Sequence, residues 1–285
     1  VSDEQQDTAQ DTAQDTAQDT AQDMTVERHG DVLHVAFDRP HRRNAFTRAM
    51  YLGLRALCDD LAAGTGLGAG ARALVLRGAG GKAFAAGNDI ADFLGRTGED
   101  GGLAVAYEEE IRGMLAALLA APVVTIAAVD GVCVGGGLAV ATHCDLRLAT
   151  RGSRFGYPIA RTLGNALAAP VVHRCASVFG EPLTREMLLA SRLVGADRAH
   201  AVGAVMDVVP DGAALDVAVA DLLEGLGAAS MATLRATKEQ LLDRALRLEA
   251  APADDEERML RVYTGADFAE GVDAFTAKRP PRFTD

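Results

Sequence analysis

The sequence predicts an α/β fold with substantial parallel strand pairing. Strand-like apolar runs alternate with longer stretches of helical periodicity, and glycine- or proline-bearing loops separate the two kinds. Val32-Leu33-His34-Val35-Ala36-Phe37 has a strand's composition, and Arg39-Pro40 ends it. Residues 49–61 carry Met50, Leu54, Leu57 and Leu61 at helical spacing. A Gly-rich loop leads to a strand over 73–76, a loop spans 78–87, and a helix is expected over 104–119. Pro122 opens a strand over 123–129, which runs through Asp130-Gly131 into Gly135-Gly136-Gly137 and a helix ending near His143. Residues 145–149 form another strand. Beyond Pro170 the chain turns mainly helical apart from 205–209, a tail suited to capping the domain or to an oligomer contact. The expected division is a polar tail over 1–23, a core over 24–210 and a helical region over 211–285.

The bulk properties narrow the function. A chain of 285 residues with 49% hydrophobic and 24% charged content can bury a sizeable core. The net charge is -12, but residues 1–23 hold seven acids and no Lys or Arg, so the remainder carries only -5. An acidic body lacks the clustered basic surface that nucleic-acid phosphates require, so no nucleic-acid partner is expected. It leaves room for a phosphorylated small molecule held by a few local cations. Cys58, Cys133, Cys144 and Cys175 form no C-x-x-C pair, which fits reduced core thiols and a cytoplasmic location. The acidic, polar start lacks a secretory-signal pattern. The uncharged run 113–129 is shorter than the roughly 20 apolar residues of a membrane span, and Pro122 interrupts it, so no membrane partner is expected. Residues 7–22 are four tandem Asp-Thr-Ala-Gln copies with too little apolar surface to offset ordering entropy, and disorder is expected there. Met24, just past the repeat, is a candidate start of translation.

Two glycine-containing loops hold the candidate chemistry. One is Ala85-Ala86-Gly87-Asn88-Asp89-Ile90; the other, Val134-Gly135-Gly136-Gly137-Leu138, joins a buried strand to a helix. A helix N-terminus offers backbone N–H groups without intrahelical partners, and glycines there admit a ligand oxygen. Two such N–H groups converging on one oxygen make an oxyanion hole. By itself a triple glycine before a helix fits a tight turn equally well. No Gly-Lys-Ser/Thr follows, so it is not a phosphate loop.

In combination these segments resemble the crotonase (enoyl-CoA hydratase/isomerase) family. Arg39-Pro40-His41-Arg42-Arg43-Asn44-Ala45 is similar to that family's opening Arg-Pro-x-x-Arg/Lys-Asn-Ala. The stretch 84–90 resembles its Phe-x-Ala-Gly-x-Asp-Ile/Leu loop. Ala128-Val129-Asp130-Gly131, the triple glycine and Cys144-Asp145 resemble its central block, and Phe155-Gly156-Tyr157-Pro158 its Phe-Gly-x-Pro turn. Glu270-Gly271, Phe275 and Lys278-Arg279 resemble its C-terminal motif, so the matches run in order from about residue 26 to the end. The resemblance implies a spiral of ββα units with a C-terminal helical trimerisation region, in a homotrimer or hexamer. It also implies an acyl-CoA substrate, with coenzyme A part of that substrate and no separate cofactor, in fatty acid metabolism.

Carried over residue by residue, the resemblance makes Asn88 and Gly136 the oxyanion N–H donors. Arg42, Arg43, Ala45, Ala86, Gly87, Asp89, Ile90, Gly135, Phe275 and Lys278 become the substrate and coenzyme A contacts, the last two at the adenine end and from a neighbouring subunit if the family's assembly holds. Ala91 stands where some relatives have a phosphate-binding Lys. The hydratases of the family use two carboxylates for their water and proton chemistry, and this chain has Ala139 and Ile159 at those positions. Nearby substitutes are His143, four residues after Ala139 on the same helical face, and Tyr157 and Arg161, which flank Ile159. The run Glu108-Glu109-Glu110 lies on a helix that borders the acyl pocket in relatives, and a solvated face is its favoured assignment. No metal site is expected, because His29, His34 and His41 show no ligand pattern. Two functions follow. One is a lyase or isomerase of non-standard chemistry that stabilises a thioester enolate; the other is a catalytically silent acyl-CoA-binding or assembly subunit. A carbonyl substrate without coenzyme A is a third.

Overall fold

The computed structural model describes residues 23–90 and 102–284. The Asp-Thr-Ala-Gln repeat and Ala91 lie outside the described residues. β1 (Met24–His29) and β2 (Val32–Phe37) form an antiparallel hairpin with Met24 opposite Phe37. Leu33, Val35 and Phe37 are buried and alternate with more exposed neighbours, as in a strand with one covered face. α1 (Arg48–Ala63) follows, its first turn capped by the Thr47 hydroxyl accepting from the Met50 N–H, and Met50, Leu54, Leu57 and Leu61 are buried along one stripe.

Three passes of strand, strand and helix then build the body. β3 (Ala73–Gly78) and β4 (Ala83–Ala86) precede α2 (Gly102–Leu119). β5 (Val124–Val129) and β6 (Val132–Val134) precede α3 (Gly136–His143). β7 (Leu146–Thr150) and β8 (Arg154–Gly156) precede α4 (Ile159–Thr162) and α5 (Ala169–Leu189). β9 (Val194–Gly195), α6 (Ala196–Ala201) and β10 (Asp207–Val209) complete the sheets. The first strand of each pass enters a six-stranded sheet of order β1-β2-β3-β5-β7-β10, and the second enters a four-stranded sheet of order β4-β6-β8-β9. Pairing is parallel except in β1–β2 and β8–β9. The fold is the α/β, crotonase-like spiral.

β5 is buried at all six positions, because both faces of the larger sheet are covered. One face meets the main core; the other, through Val75, Ile126, Ala128 and Leu148, meets Leu215 and Val219 of α7 (Gly212–Gly227). The tail continues as α8 (Met231–Leu248), α9 (Asp255–Tyr263) and α10 (Ala266–Thr276). Lys238 of α8 donates to the Val123 carbonyl and pairs with Asp145, which fastens that helix to the end of the sheet. Among the described residues no single helix is long and apolar enough to cross a membrane, although α7 and α8 reach that length together across a 108° bend.

The sequence expectation differs from the structure chiefly in the smaller sheet. The loop expected over 78–87 contains β4, and β6, β8 and β9 were not anticipated. Strands of two to four residues are too short for any periodicity to register; they exist because the neighbouring pass presents a partner strand.

One buried amide joins the larger sheet to the smaller. Asn44, fully buried at φ 56°, accepts from the Arg39 N–H at 3.0 Å and donates to the carbonyls of Ala79 at 2.9 Å and Ala83 at 2.8 Å. Asparagine tolerates that left-handed conformation better than most residues. Asn44→Ala orphans one buried and two part-buried backbone groups, and the expected loss is about 2 kcal/mol of unfolding free energy by urea titration; a loss below about 0.5 kcal/mol would contradict the assignment.

Candidate active site

The two glycine loops meet at the end of β4. The Ala86 N–H donates to the Arg43 carbonyl at 3.0 Å, the Phe46 N–H to the Gly87 carbonyl at 2.9 Å, and the Asp89 N–H to the Phe46 carbonyl at 2.7 Å. This stitching skips Asn88, whose own N–H has no hydrogen-bond partner among the described residues. Across from it, the Gly135 N–H donates to the Gly156 carbonyl at 3.1 Å, and α3 begins at Gly136. As the first helical residue Gly136 has no intrahelical acceptor, and its N–H too is unpartnered among the described residues.

Glycine is required here by close approach. A Cβ on Gly136 would lie 2.2 Å from Asn88 Oδ1 and 2.3 Å from Tyr51 Oη. One on Gly137 would lie 2.4 Å from the Ala85 carbonyl oxygen. The Tyr51 hydroxyl donates to Asn88 Oδ1 at 2.6 Å, so the asparagine side chain is anchored against the start of the helix.

Asn88, Gly135 and Gly136 line a cavity of about 120 Å³, together with Ala86, Gly87 and Ile90. Its other walls come from α2, α3, α4 and the segment before α5. Ala139 and Ile159 stand in those walls, so the positions where the resemblance puts carboxylates do face the cavity, as apolar side chains. Glu108, Ile111 and Leu115, spaced three and four residues apart, present the cavity face of α2.

Glu108 corrects the sequence assignment. The favoured expectation of a solvated face holds for Glu109, which pairs with Arg112, and for Glu110, which pairs with Arg48, but not for Glu108. Its Oε1 accepts the Tyr263 hydroxyl of α9 at 2.6 Å. Burial pushes its carboxyl up to about 7, against the opposing pull of the Tyr263 hydrogen bond and the Arg112 charge. The same burial, with Glu108 alongside, raises the Tyr263 hydroxyl well above its ordinary range, so it stays protonated and donates. The signal in the sequence was the spacing Glu108, Ile111, Leu115, which continues an apolar stripe up to the first acid of the run 108–110.

The remaining candidates separate. His143 is buried, with Nδ1 2.7 Å from the Ala139 carbonyl; burial pushes it down to about 4, and it lines a different pocket beneath α8. Tyr157 is fully buried in the core and its hydroxyl has no hydrogen-bond partner among the described residues. Arg161 is exposed on α4. None of the three lines the cavity. Arg42 and Arg43 are exposed on the turn that the Arg43–Ala86 hydrogen bond holds beside β4, next to Ala45. The Asp89 carboxylate pairs with Arg39 at 2.8 Å. Phe275, 57% exposed, and Lys278 lie at the end of α10 and touch no wall of the cavity. No cluster of three or more metal-ligating side chains occurs among the described residues.

The family profile described as Enoyl-CoA hydratase/isomerase matches residues 27–285. The chain belongs to that family. A Thermus thermophilus protein provisionally named an enoyl-CoA hydratase is 37% identical over 265 residues, which are 89% of this chain and 98% of the relative. The 2,3-dehydroadipyl-CoA hydratase of Escherichia coli is 29% identical, covering 91% of this chain and 98% of its own. A crystal structure of an enoyl-CoA hydratase/carnithine racemase from Magnetospirillum magneticum superposes with a TM-score of 0.70 at 33% identity, covering 92% and 95% of the two chains.

The environment of Glu108 has a consequence for stability. Its carboxyl titrates near 7 when folded and near the model-peptide 4.5 when unfolded, so between those values the folded state holds the extra proton. Stability from this group is fully present below about 4.5 and is lost as pH rises through about 7. Glu108→Gln is expected to flatten the fall in unfolding free energy across that window in urea titrations; an unchanged slope would contradict the burial of the carboxyl.

Proposed function

We propose that the protein binds an acyl-CoA thioester and polarises its carbonyl with the N–H groups of Asn88 and Gly136, acting as a lyase or isomerase on the resulting enolate. The observation that carries this is the pair of unpartnered peptide donors, from separate loops, in the wall of one mostly apolar cavity. A carbonyl oxygen that gains negative charge gains most from fixed donors in a site of low dielectric. The acyl chain fits the apolar walls, and Arg42 and Arg43 beside the loop suit coenzyme A phosphates. No cofactor beyond coenzyme A is needed for such chemistry. Four buried, unpaired cysteines suit a reducing, cytoplasmic setting.

A second reading is favoured by one observation: Ala139 and Ile159 deprive the cavity of both hydratase carboxylates, which is what a silent acyl-CoA-binding subunit would show. Turnover decides between the two. Val217, Leu241, Leu246 and Leu248 of α7 and α8 are each more than half exposed, which supports a homotrimer, alone or paired into a hexamer, that covers them.

Butyryl-CoA at a hundredfold excess over its Kd is expected to protect the protein by about 2.7 kcal/mol, a rise of several degrees in Tm, and an unmoved Tm would overturn the binding. Gly136→Pro removes the N–H and also sets a Cβ against Asn88 Oδ1 and Tyr51 Oη, so it disturbs the whole donor pair and is expected to cost at least on the order of 10²–10³ in turnover. Full activity in that variant would exclude the oxyanion role. Sedimentation should give a mass three or six times the 29.7 kDa chain, and a monomer would exclude the assembly.

A further inference from the structure

Among the described residues that line the cavity, Glu108 is the one carboxylate, and no Lys, Arg or His joins it. The hydratase positions on α3 and α4 hold Ala139 and Ile159, so a group able to move a proton has to come from another wall. α2 supplies it. We infer that Glu108 is the proton-transfer residue of this site and Tyr263 its positioning residue, acting on an aliphatic acyl-CoA that carries a hydrogen beside the thioester carbonyl. This rests on the acyl-CoA reading above and deepens it.

The step balances without a co-reactant. The C–H bond beside the carbonyl breaks, the proton goes to the Glu108 carboxylate, and the electron pair moves to the carbonyl oxygen that faces the Asn88 and Gly136 N–H groups. The protonated Glu108 then returns the proton to the same carbon, or, where a double bond between the β and γ carbons extends the enolate, to the γ carbon, which moves the double bond into conjugation with the carbonyl.

The hydrogen bonds of Tyr263 accommodate both states of the carboxyl. Its hydroxyl lies 2.6 Å from Glu108 Oε1 and 3.3 Å from the Ala166 carbonyl. With Glu108 ionised, the tyrosine proton points at the carboxylate. When Glu108 is protonated, it can turn to Ala166 while its oxygen accepts from the carboxyl. A proton therefore enters or leaves with little motion of heavy atoms. The ring of Tyr263 is steadied by Phe268, edge-on at 4.7 Å between centroids. The titratable or charged groups bearing on Glu108 are Tyr263 from α9 and Arg112 one turn along α2, the latter paired with Glu109; across the cavity α1 contributes Tyr51, whose hydroxyl donates to Asn88, and α3 and α4 contribute Ala139, Ile159 and Thr162, none of them ionisable near neutrality. A carboxyl held near 7 is matched to proton transfer at neutral pH.

The test is deuterium uptake beside the carbonyl of butyryl-CoA in heavy water, followed by mass spectrometry, alongside the thermal protection given by the same thioester. The wild type should exchange, with a rate that rises with pH through about 7 as Glu108 ionises. Glu108→Gln should lose at least about 100-fold in exchange while keeping the thermal protection. Tyr263→Phe removes the bond that lowers the Glu108 pKa, so its midpoint should move to higher pH, a displacement that a merely structural tyrosine would not cause. Glu108→Asp keeps a carboxylate in the cavity and should retain part of the exchange, a check if the glutamine variant is poorly folded. Exchange in Glu108→Gln within about threefold of wild type, or protection without exchange in the wild type, overturns the inference and leaves acyl-CoA binding intact. Absence of protection in the wild type removes the binding and the inference together.

Discussion

The site depends on one close contact between two pieces of backbone. The first turn of α3 approaches the end of β4 so tightly that Gly136 leaves no room for a Cβ beside Asn88 and Tyr51, and Gly137 leaves none beside Ala85. That contact sets a helix N-terminus against a strand end, and it places Asn88 and Gly136 in the wall of one cavity. Everything around it serves to hold the two pieces. Asn44 ties the chain after β2 to the residues flanking β4, Arg39 reaches Asp89, and the Gly135–Gly156 hydrogen bond holds the start of α3 on β8.

The same arrangement explains why the cavity can hold a carboxyl that is reluctant to ionise. Its walls are mostly apolar, its polar groups are mainly backbone, amide and hydroxyl, and the carboxyl at Glu108 takes its hydrogen bond from the Tyr263 hydroxyl. In such surroundings a charge is costly unless something fixed answers it. Two kinds of group answer here, peptide donors on one side and a hydroxyl donor on the other. A charge that migrates between a carboxyl and a carbonyl oxygen would be met at either end.

Much of the fold and part of the site could be read along the chain. The strands β2, β3, β5 and β7 of the larger sheet and the helices α1 to α3 follow from apolar runs and from apolar residues at helical spacing, because each buries a face long enough to leave a pattern, whereas β1, buried only at Met24, was not anticipated. That Asn88 and Gly136 lie close together in one cavity wall was legible because a loop that must allow close backbone approach is spelled in glycine and small residues. The short strands of the smaller sheet left no pattern, since their pairing comes from the next pass of the spiral. His143 and Glu108 show the limit from the other side. Both are polar residues on helices, and sequence spacing put the histidine near the missing carboxylate, yet the helix turns it under α8.

The sequence by itself determined the α/β class, the family and the two glycine loops that line the cavity, because each is encoded in residues a few positions apart. Which acid belongs to the cavity was decided only by tertiary structure. Glu108, Glu109 and Glu110 are chemically alike and adjacent, and their fates diverge through partners far off in sequence: Arg48 on α1 takes Glu110, while Tyr263 on α9 takes Glu108. Contact across 155 residues has no trace in a local pattern, since it depends on how the helical tail folds back over α2.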